Sequence, residues 1–399
     1  MPELIDIASA RRLVLDSVSR LEAEQVPVAE GLGRVLAEDV RSDGDLPPFD
    51  SSAMDGYAVV SGAAGTLRVV AESRAGHPAA HAPAPGEALA ISTGALVPPG
   101  SDLAVIPVER VTQRGDEVVA VPESEPGVNV RRTGEDVRAG DTVLHAGTVL
   151  GPPELSIGVA AGRAQLRCSL RPRVFVLVTG DELVEPGRPI APGQIRSSNG
   201  VALAAQAAAA GADVTGSEIV PDEPEATAGA LARALERADV VCVSGGVSVG
   251  RHDHVRPTLE RLGVEELFWG VSLKPGKPTW FGVRGDAAVF GLPGNPVSAI
   301  VAFHLFARPA LRRLAGADPE ETRTTALLDA PVRRDPRREQ VLRCRLSAEA
   351  DGWHVAPAPN QGSHILTSML GARALALVPA GEGELASGAR VAVELLGSW

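Results

Sequence analysis

Val174-Phe175-Val176-Leu177-Val178-Thr179-Gly180-Asp181-Glu182-Leu183 sets five consecutive apolar residues ahead of a glycine turn that carries two adjacent carboxylates. An apolar run of that length, bounded by a turn, reads as a strand buried on both faces. Asp239-Val240-Val241-Cys242-Val243 repeats the pattern and leads into Ser244-Gly245-Gly246. Between the two, the sequence predicts a helix around 201–211, a strand around 213–220 and a second helix from about 224 to 238. This β-loop-α alternation implies a parallel sheet covered by helices on both faces, with ligands bound beyond the carboxyl ends of its strands.

Working outward, Ile7, Leu13, Val14, Val18 and Leu21 have the spacing of an amphipathic helix over 7–22. From about 45 to 136, short alternating runs (67–71, 88–92, 103–107 and 117–121) broken by Gly and Pro predict a small β domain. Pro152-Pro153-Glu154 begins a short helix, and the region beyond about 320 reads as a second β domain or barrel. A chain of 399 residues divides into two to four domains. Its charge of -12 is scattered, without a basic stripe, so the sequence predicts small ligands and no nucleic acid. No stretch has the length of a membrane span, and Met1-Pro2-Glu3-Leu4-Ile5-Asp6 lacks a signal-peptide profile; a cytoplasmic location is the expectation. Cys168, Cys242 and Cys344 are odd in number, far apart and flanked by strand-like residues, the pattern of buried free thiols.

The chain contains 36 arginines and only two lysines, Lys274 and Lys277, both in Lys274-Pro275-Gly276-Lys277-Pro278. A compact ammonium at an anion site is not replaced by a guanidinium fork, so this segment is a candidate anion site. Glu182 and Asp181 stand at a strand's carboxyl end, where they can hold a cation, accept a proton or cap a helix. The loop from Ser244 to Asp253 offers glycines for close phosphate approach, with Ser248 as a donor and Asp253 as a metal ligand or a cap. In Leu292-Pro293-Gly294-Asn295-Pro296-Val297-Ser298, Asn295 has the chemistry of an N-cap and Pro296 that of the first helical position. The helix that follows, to about 314, aims its positive end at an anion with Ser298 in the first turn. The loops at 179–183, 244–253, 274–278 and 291–298 are expected to converge above one sheet edge.

The segments Pro48 to Val59, Ser92 to Ala95, Arg131 to Asp136, Thr179 to Leu183, Ser244 to Gly250, Lys274 to Pro278, Leu292 to Ser298 and Asn360 to Ser363 closely resemble, in order, those of the molybdopterin molybdenumtransferases. This is the MoeA family, which includes the gephyrin E domain. The resemblance implies a multidomain α/β and β protein: a discontinuous helical domain (1–44 with 137–168), an inserted β domain (45–136), a three-layer α/β molybdopterin-binding domain with a mainly parallel sheet (169–317) and a C-terminal β-barrel (318–399). It implies an L-shaped homodimer that inserts molybdate into adenylylated molybdopterin, with release of AMP and with magnesium (Mg2+) as metal. Transient contact with molybdopterin adenylyltransferase or with apo-molybdoenzymes is a further expectation. By similarity Asp50, Thr93, Asp136 and Glu182 serve activity, and Gly245, Gly246, Ser248, Pro293, Asn295 and Pro296 the nucleotide and pterin. Lys274, Lys277, Ser298, Arg343 and Ser363 form the molybdate site, and Asp222 and Asp253 the metal site; Arg337, Arg338 and Arg345 lie close to Arg343. A tungstate-inserting homologue and a non-catalytic scaffold on the same fold are the rival readings.

Overall fold

In the computed structural model, which describes residues 4–100, 102–115, 117–247 and 253–397, the opening run forms the strand Arg173–Thr179. It lies parallel between Asp213–Val220 and Val240–Ser244, and Val240–Ser244 is followed in the sheet by parallel Ala287–Leu292. Trp280–Arg284 and Glu265–Trp269 complete the six strands in antiparallel sense. Alternation along the strands divides the core. Val174, Val176, Cys242 and Phe290 pack with Leu203, Ala207 and Val297, whereas Phe175, Leu177, Val241 and Val289 pack with Ala230, Leu231 and Leu259. The sheet is therefore covered on both faces, as its uninterrupted apolar strands require.

The helix after Ala287–Leu292 runs through Pro296–Ala302 and Arg308–Leu314 with a π-helical segment, Phe303–Ala307, between them. Its buried residues join Val341, Leu375, Leu377 and Leu396 of the C-terminal strands in one core. Those strands close a barrel: Glu339–Glu349 pairs with Gly352–Pro357 and with Ala374–Val378, and Arg323–Leu328 and Arg390–Leu395 complete the circuit. The N-terminal helix spans Ile7–Asp16 and is capped by Asp6, whose carboxylate accepts the Ser9 N–H. It ends earlier than the apolar spacing suggested, because Val18 is buried from the connection that follows the helix.

The chain forms two compact units: Met1–Glu24 with Gly33–Ala37 and Cys168–Trp399, and Gln25–Leu32 with Glu38–Arg167. The second contains a six-stranded sheet in which Gly56–Val60 lies between Glu87–Ile91 and Leu103–Pro107, and a short helix, Pro152–Ala160. Cys168, Cys242 and Cys344 are free and buried, and burial pushes the Cys242 and Cys344 thiols up to about 12. Among the described residues no helix is long and apolar enough to cross a membrane.

On the barrel, His354 bridges Asp329 (Nδ1 to Oδ1, 2.8 Å) and Asp351 (Nε2 to Oδ1, 2.9 Å). Hydrogen bonds to Asp329 and then Asp351 raise its pKa above the ordinary imidazole value. A raised folded-state pKa gives stability that is complete below the unfolded pKa and is lost as pH rises through the folded value. The melting-temperature advantage of the native chain over His354→Gln should be largest near pH 5 and shrink toward about pH 9, as followed by thermal unfolding across that range. A constant difference would mean that the imidazole titrates alike in the folded and unfolded chain.

Candidate active site

Three adjacent parallel strands end on the same edge of the sheet at Thr179, Ser244 and Leu292. The antiparallel strand Trp280–Arg284 begins there too, since Trp280 pairs with Gly291, so the lysine loop that precedes it joins the same edge. The described starts of the loops expected to converge thus leave from one edge; residues 248–252 lie outside the described residues. The strand ends are tied together: Asn199 Nδ2 donates to Ser244 Oγ (2.9 Å) and to the Gly294 carbonyl (2.8 Å), and Ser244 Oγ donates to the Pro293 carbonyl (3.1 Å). Above them lies a cleft of about 100 Å³ bounded by Thr179, Glu182, Asn199, Ser244 and Pro296.

Gly245 and Gly246 adopt φ of 96° and 64°. A Cβ on Gly245 would lie 2.6 Å from the Thr179 carbonyl oxygen, and one on Gly246 would lie 2.7 Å from a Val255 methyl. The glycines thus let the loop rest on the neighbouring strand end. Gly245→Ala should cost about 1–3 kcal/mol in denaturant unfolding through left-handed strain and this collision. Gly294→Ala, with no neighbour nearer than 4.0 Å, should cost far less. Equal losses would show that the Gly245 collision relaxes without penalty. Ser248 lies outside the described residues.

Asp181 Oδ1 accepts the Asp222 N–H (3.0 Å), linking the ends of adjacent strands, and its side chain caps no helix among the described residues. The Asp222 carboxyl has a raised pKa, first from burial and then from the nearby Asp181 and Glu182 charges. Asp253 is partly buried just ahead of the helix Val255–Arg261, whose N-cap position belongs to His254. Among the described residues no group of three or more His, Cys, Asp or Glu is arranged to hold a metal.

Asn295 occupies the N-cap position of Pro296–Ala302, but its side chain makes no capping bond. It donates instead to Ser363 Oγ (3.2 Å), and the Ser363 carbonyl accepts the Val297 N–H (3.2 Å). The helix start is therefore satisfied partly by the barrel loop, which corrects the local capping expectation. Ser298 is buried in that first turn. The same loop is braced by Arg343, which is 0% exposed: Nη2 donates to the Asn360 (3.4 Å) and Gly362 (3.2 Å) carbonyls, and Nε to Ser368 Oγ (3.2 Å). Its Nη1 is buried without a hydrogen-bond partner among the described residues, and burial lowers its pKa. The neighbouring Arg337 and Arg338 serve another group, since both backbone N–H groups donate to Asp335. Lys274 Nζ lies 3.2 Å from Asp335 Oδ2, whereas no side-chain partner is found for Lys277 among the described residues. Lys274 pairs with Gln340 on the barrel strand that carries Arg343. The geometry thus gathers Asn295, Ser298, Arg343 and Ser363 at the helix start, with the lysine loop on the same sheet edge.

Asp50, Thr93 and Asp136 belong to the second unit. Asp50 Oδ2 receives the Arg132 guanidinium (2.6 Å), and Oδ1 receives the Thr133 N–H (2.8 Å) and hydroxyl (3.0 Å). Burial opposes the Asp50 charge, but these donors, led by the Thr133 N–H, outweigh it and lower the pKa. Thr93 donates its N–H (2.7 Å) and hydroxyl (3.0 Å) to Asp55, whose pKa is lowered chiefly by that N–H. Ser52 links the two motifs, donating its N–H to the Ala95 carbonyl and accepting the Gly94 N–H at its own. The Asp136 N–H donates to the Leu46 carbonyl (3.0 Å), four residues before Asp50. Asp55, Arg132, Thr133 and Asp335 were not singled out as site residues; the first three lie inside the quoted motifs, and Asp335 carries no local signal.

Comparison with known proteins matches three consecutive stretches of the chain to one family. Residues 5–162 match the MoeA N-terminal region (domain I and II), 175–313 a probable molybdopterin binding domain, and 325–396 the MoeA C-terminal region (domain IV). The chain is 34% identical to the molybdopterin molybdenumtransferase of Haemophilus influenzae, over 98% of each chain. It is 37% identical to molybdopterin molybdenumtransferase 2 of Mycobacterium tuberculosis, over 96% of this chain and 97% of that one. The crystal structure of the molybdopterin biosynthesis MoeA protein from Pyrococcus horikoshii superposes with a TM-score of 0.82 at 30% identity, covering 99% of this chain and 100% of the other. With matches along nearly its whole length and the motif-bearing loops gathered as described, the chain belongs to the MoeA family of molybdopterin molybdenumtransferases.

Proposed function

We propose that this chain catalyses the metal-insertion step of molybdenum cofactor biosynthesis, placing molybdate in the dithiolene of adenylylated molybdopterin with release of AMP. The observation that carries this reading is the meeting, on one sheet edge, of a glycine loop, a carboxylate group and a lysine loop beside the braced helix start at Asn295. Gly245, Gly246 and the Pro293–Pro296 segment would receive the nucleotide and pterin. Molybdate, a small dianion, would meet Lys274, Lys277, Ser298, Arg343 and Ser363, and the unused Arg343 Nη1 fits an oxyanion there.

No carboxylate cluster is preassembled among the described residues, so Asp222 and Asp253 would hold a hard cation completed largely by water and phosphate oxygens, and the Asp181 and Glu182 charges that raise the Asp222 pKa would favour a cation beside it. Magnesium bound there would offset pyrophosphate charge. Glu182 would hold a cation or accept a proton at the cleft, and Asp50, kept ionised by Arg132 and Thr133, would act as an anionic group. A homodimer sharing these groups between protomers, transient contacts with the adenylyltransferase and with apo-molybdoenzymes, and action in the cytoplasm complete the proposal; the three free cysteines support a reducing compartment.

Purified protein given adenylylated molybdopterin and magnesium should release AMP when molybdate is added and not when sulfate is added. AMP release indifferent to molybdate would refute the insertion role. For the shared site, mixing Asp50→Asn with Asp253→Asn protein should recover activity in exchanged dimers; proven exchange without recovery would contradict it.

A further inference from the structure

The two lysines of the loop differ in their surroundings. Asp335 is fixed from several directions: its N–H donates to Gln340 Oε1 (2.7 Å), its carbonyl accepts the Gly381 N–H (2.9 Å), and its Oδ1 accepts the N–H groups of Arg337 (3.0 Å) and Arg338 (3.2 Å). Its side chain is 12% exposed, and Oδ2 faces Lys274 Nζ at 3.2 Å, with Arg338 Nη2 at 3.4 Å. The Lys274 side chain, by contrast, is half exposed on a flexible stem. The carboxylate is held in place and the ammonium comes to it. The Arg337 N–H, opposed by burial and aided by Lys274, brings the Asp335 pKa down to about 2, so the carboxylate stays charged at neutral pH.

An anion that approaches this loop therefore meets one ammonium already engaged by an internal anion. We propose that Asp335 is a positioning residue that competes with the incoming oxyanion for the Lys274 ammonium, so that Lys274 rests on Asp335 in the free protein and exchanges partners when the oxyanion binds. The inference rests on the reading of the lysine loop as the oxyanion site. Its consequence is affinity held below what two unengaged ammonium groups would give, which favours passing the metal on over retaining it. Lys277 supplies the standing attraction, and Lys274 the exchangeable part.

The sign of one substitution tests this. Asp335→Asn keeps an oxygen to accept the Arg337 and Arg338 N–H groups, while it removes the charge and turns the acceptor that faces Lys274 into an amide donor. Equilibrium dialysis with molybdate, on protein checked by thermal unfolding, should show binding roughly three- to tenfold tighter than in the native chain. In a Lys274→Gln background the same change should gain less than about twofold, which separates competition for Lys274 from a general field and from release of Arg338. Asp335→Ser, which can still cap the Arg337 N–H, should change affinity in the same direction and covers the case in which the asparagine variant misfolds. Unchanged or weaker binding in folded Asp335 variants, or an undiminished gain without Lys274, overturns the competition. If Lys277→Ala lowers binding while this happens, the oxyanion reading stands without it. If neither Lys277→Ala nor Lys274→Gln alters molybdate binding, the oxyanion reading itself fails.

Discussion

Lys277→Ala is expected to raise the molybdate concentration for half-maximal turnover by roughly ten- to a hundredfold, while binding of adenylylated molybdopterin changes little. A charge-assisted hydrogen bond to a dianion contributes about 1.5–3 kcal/mol, and each 1.4 kcal/mol is tenfold in affinity. Lys277 has no side-chain partner among the described residues, so its ammonium is available to an oxyanion in full. Lys274→Ala should have a smaller effect, because Asp335 at 3.2 Å already draws on that ammonium. Steady-state titration of molybdate at saturating pterin substrate measures both variants. Unchanged molybdate dependence in both would remove the lysine loop from the oxyanion site.

Arg343→Met should lose about 2 kcal/mol of stability and most of the molybdate response together. The side chain is wholly buried, and its guanidinium ties the Asn360 and Gly362 carbonyls and Ser368 Oγ to the strand Glu339–Glu349. Methionine fills much of the volume but leaves those acceptors without their donor. The loop they belong to carries Ser363, which meets Asn295 at the helix start, so loosening it moves two candidate ligands at once. Denaturant unfolding and the molybdate titration on the same preparation separate the effects. Full stability with a lost molybdate response would assign Arg343 to binding alone; lost stability with a normal response would make it a brace only.

The sheet was legible because its central strands are buried on both faces, so Val174 to Val178 and Val240 to Val243 leave an unbroken apolar record. The helix from Pro296 was legible as an apolar stretch, but its π-helical turn at Phe303–Ala307 was not, since every residue there is buried and none marks a change of period. At Asn295 the local pattern pointed to a side-chain cap, and a tertiary partner 68 residues away took the side chain instead. Asp335 shows the limit most clearly: it reaches Lys274 across 61 residues, and nothing in Arg334-Asp335-Pro336-Arg337 signals that contact. Asp50 and Thr93 were placed by family resemblance. Their immediate donors and acceptors, Arg132, Thr133 and Asp55, lay in the same motifs but emerged only from the fold.

The most direct measurement is the anomalous difference density, at the molybdenum absorption edge, of crystals grown with AMP, magnesium and molybdate. A molybdenum peak beside Lys277, Ser298, Arg343 and Ser363, with AMP along the Gly245 loop, is the expected result. Fully occupied molybdenum elsewhere on the chain, with the helix start at Asn295 holding none, would contradict the assignment of this edge as the insertion site.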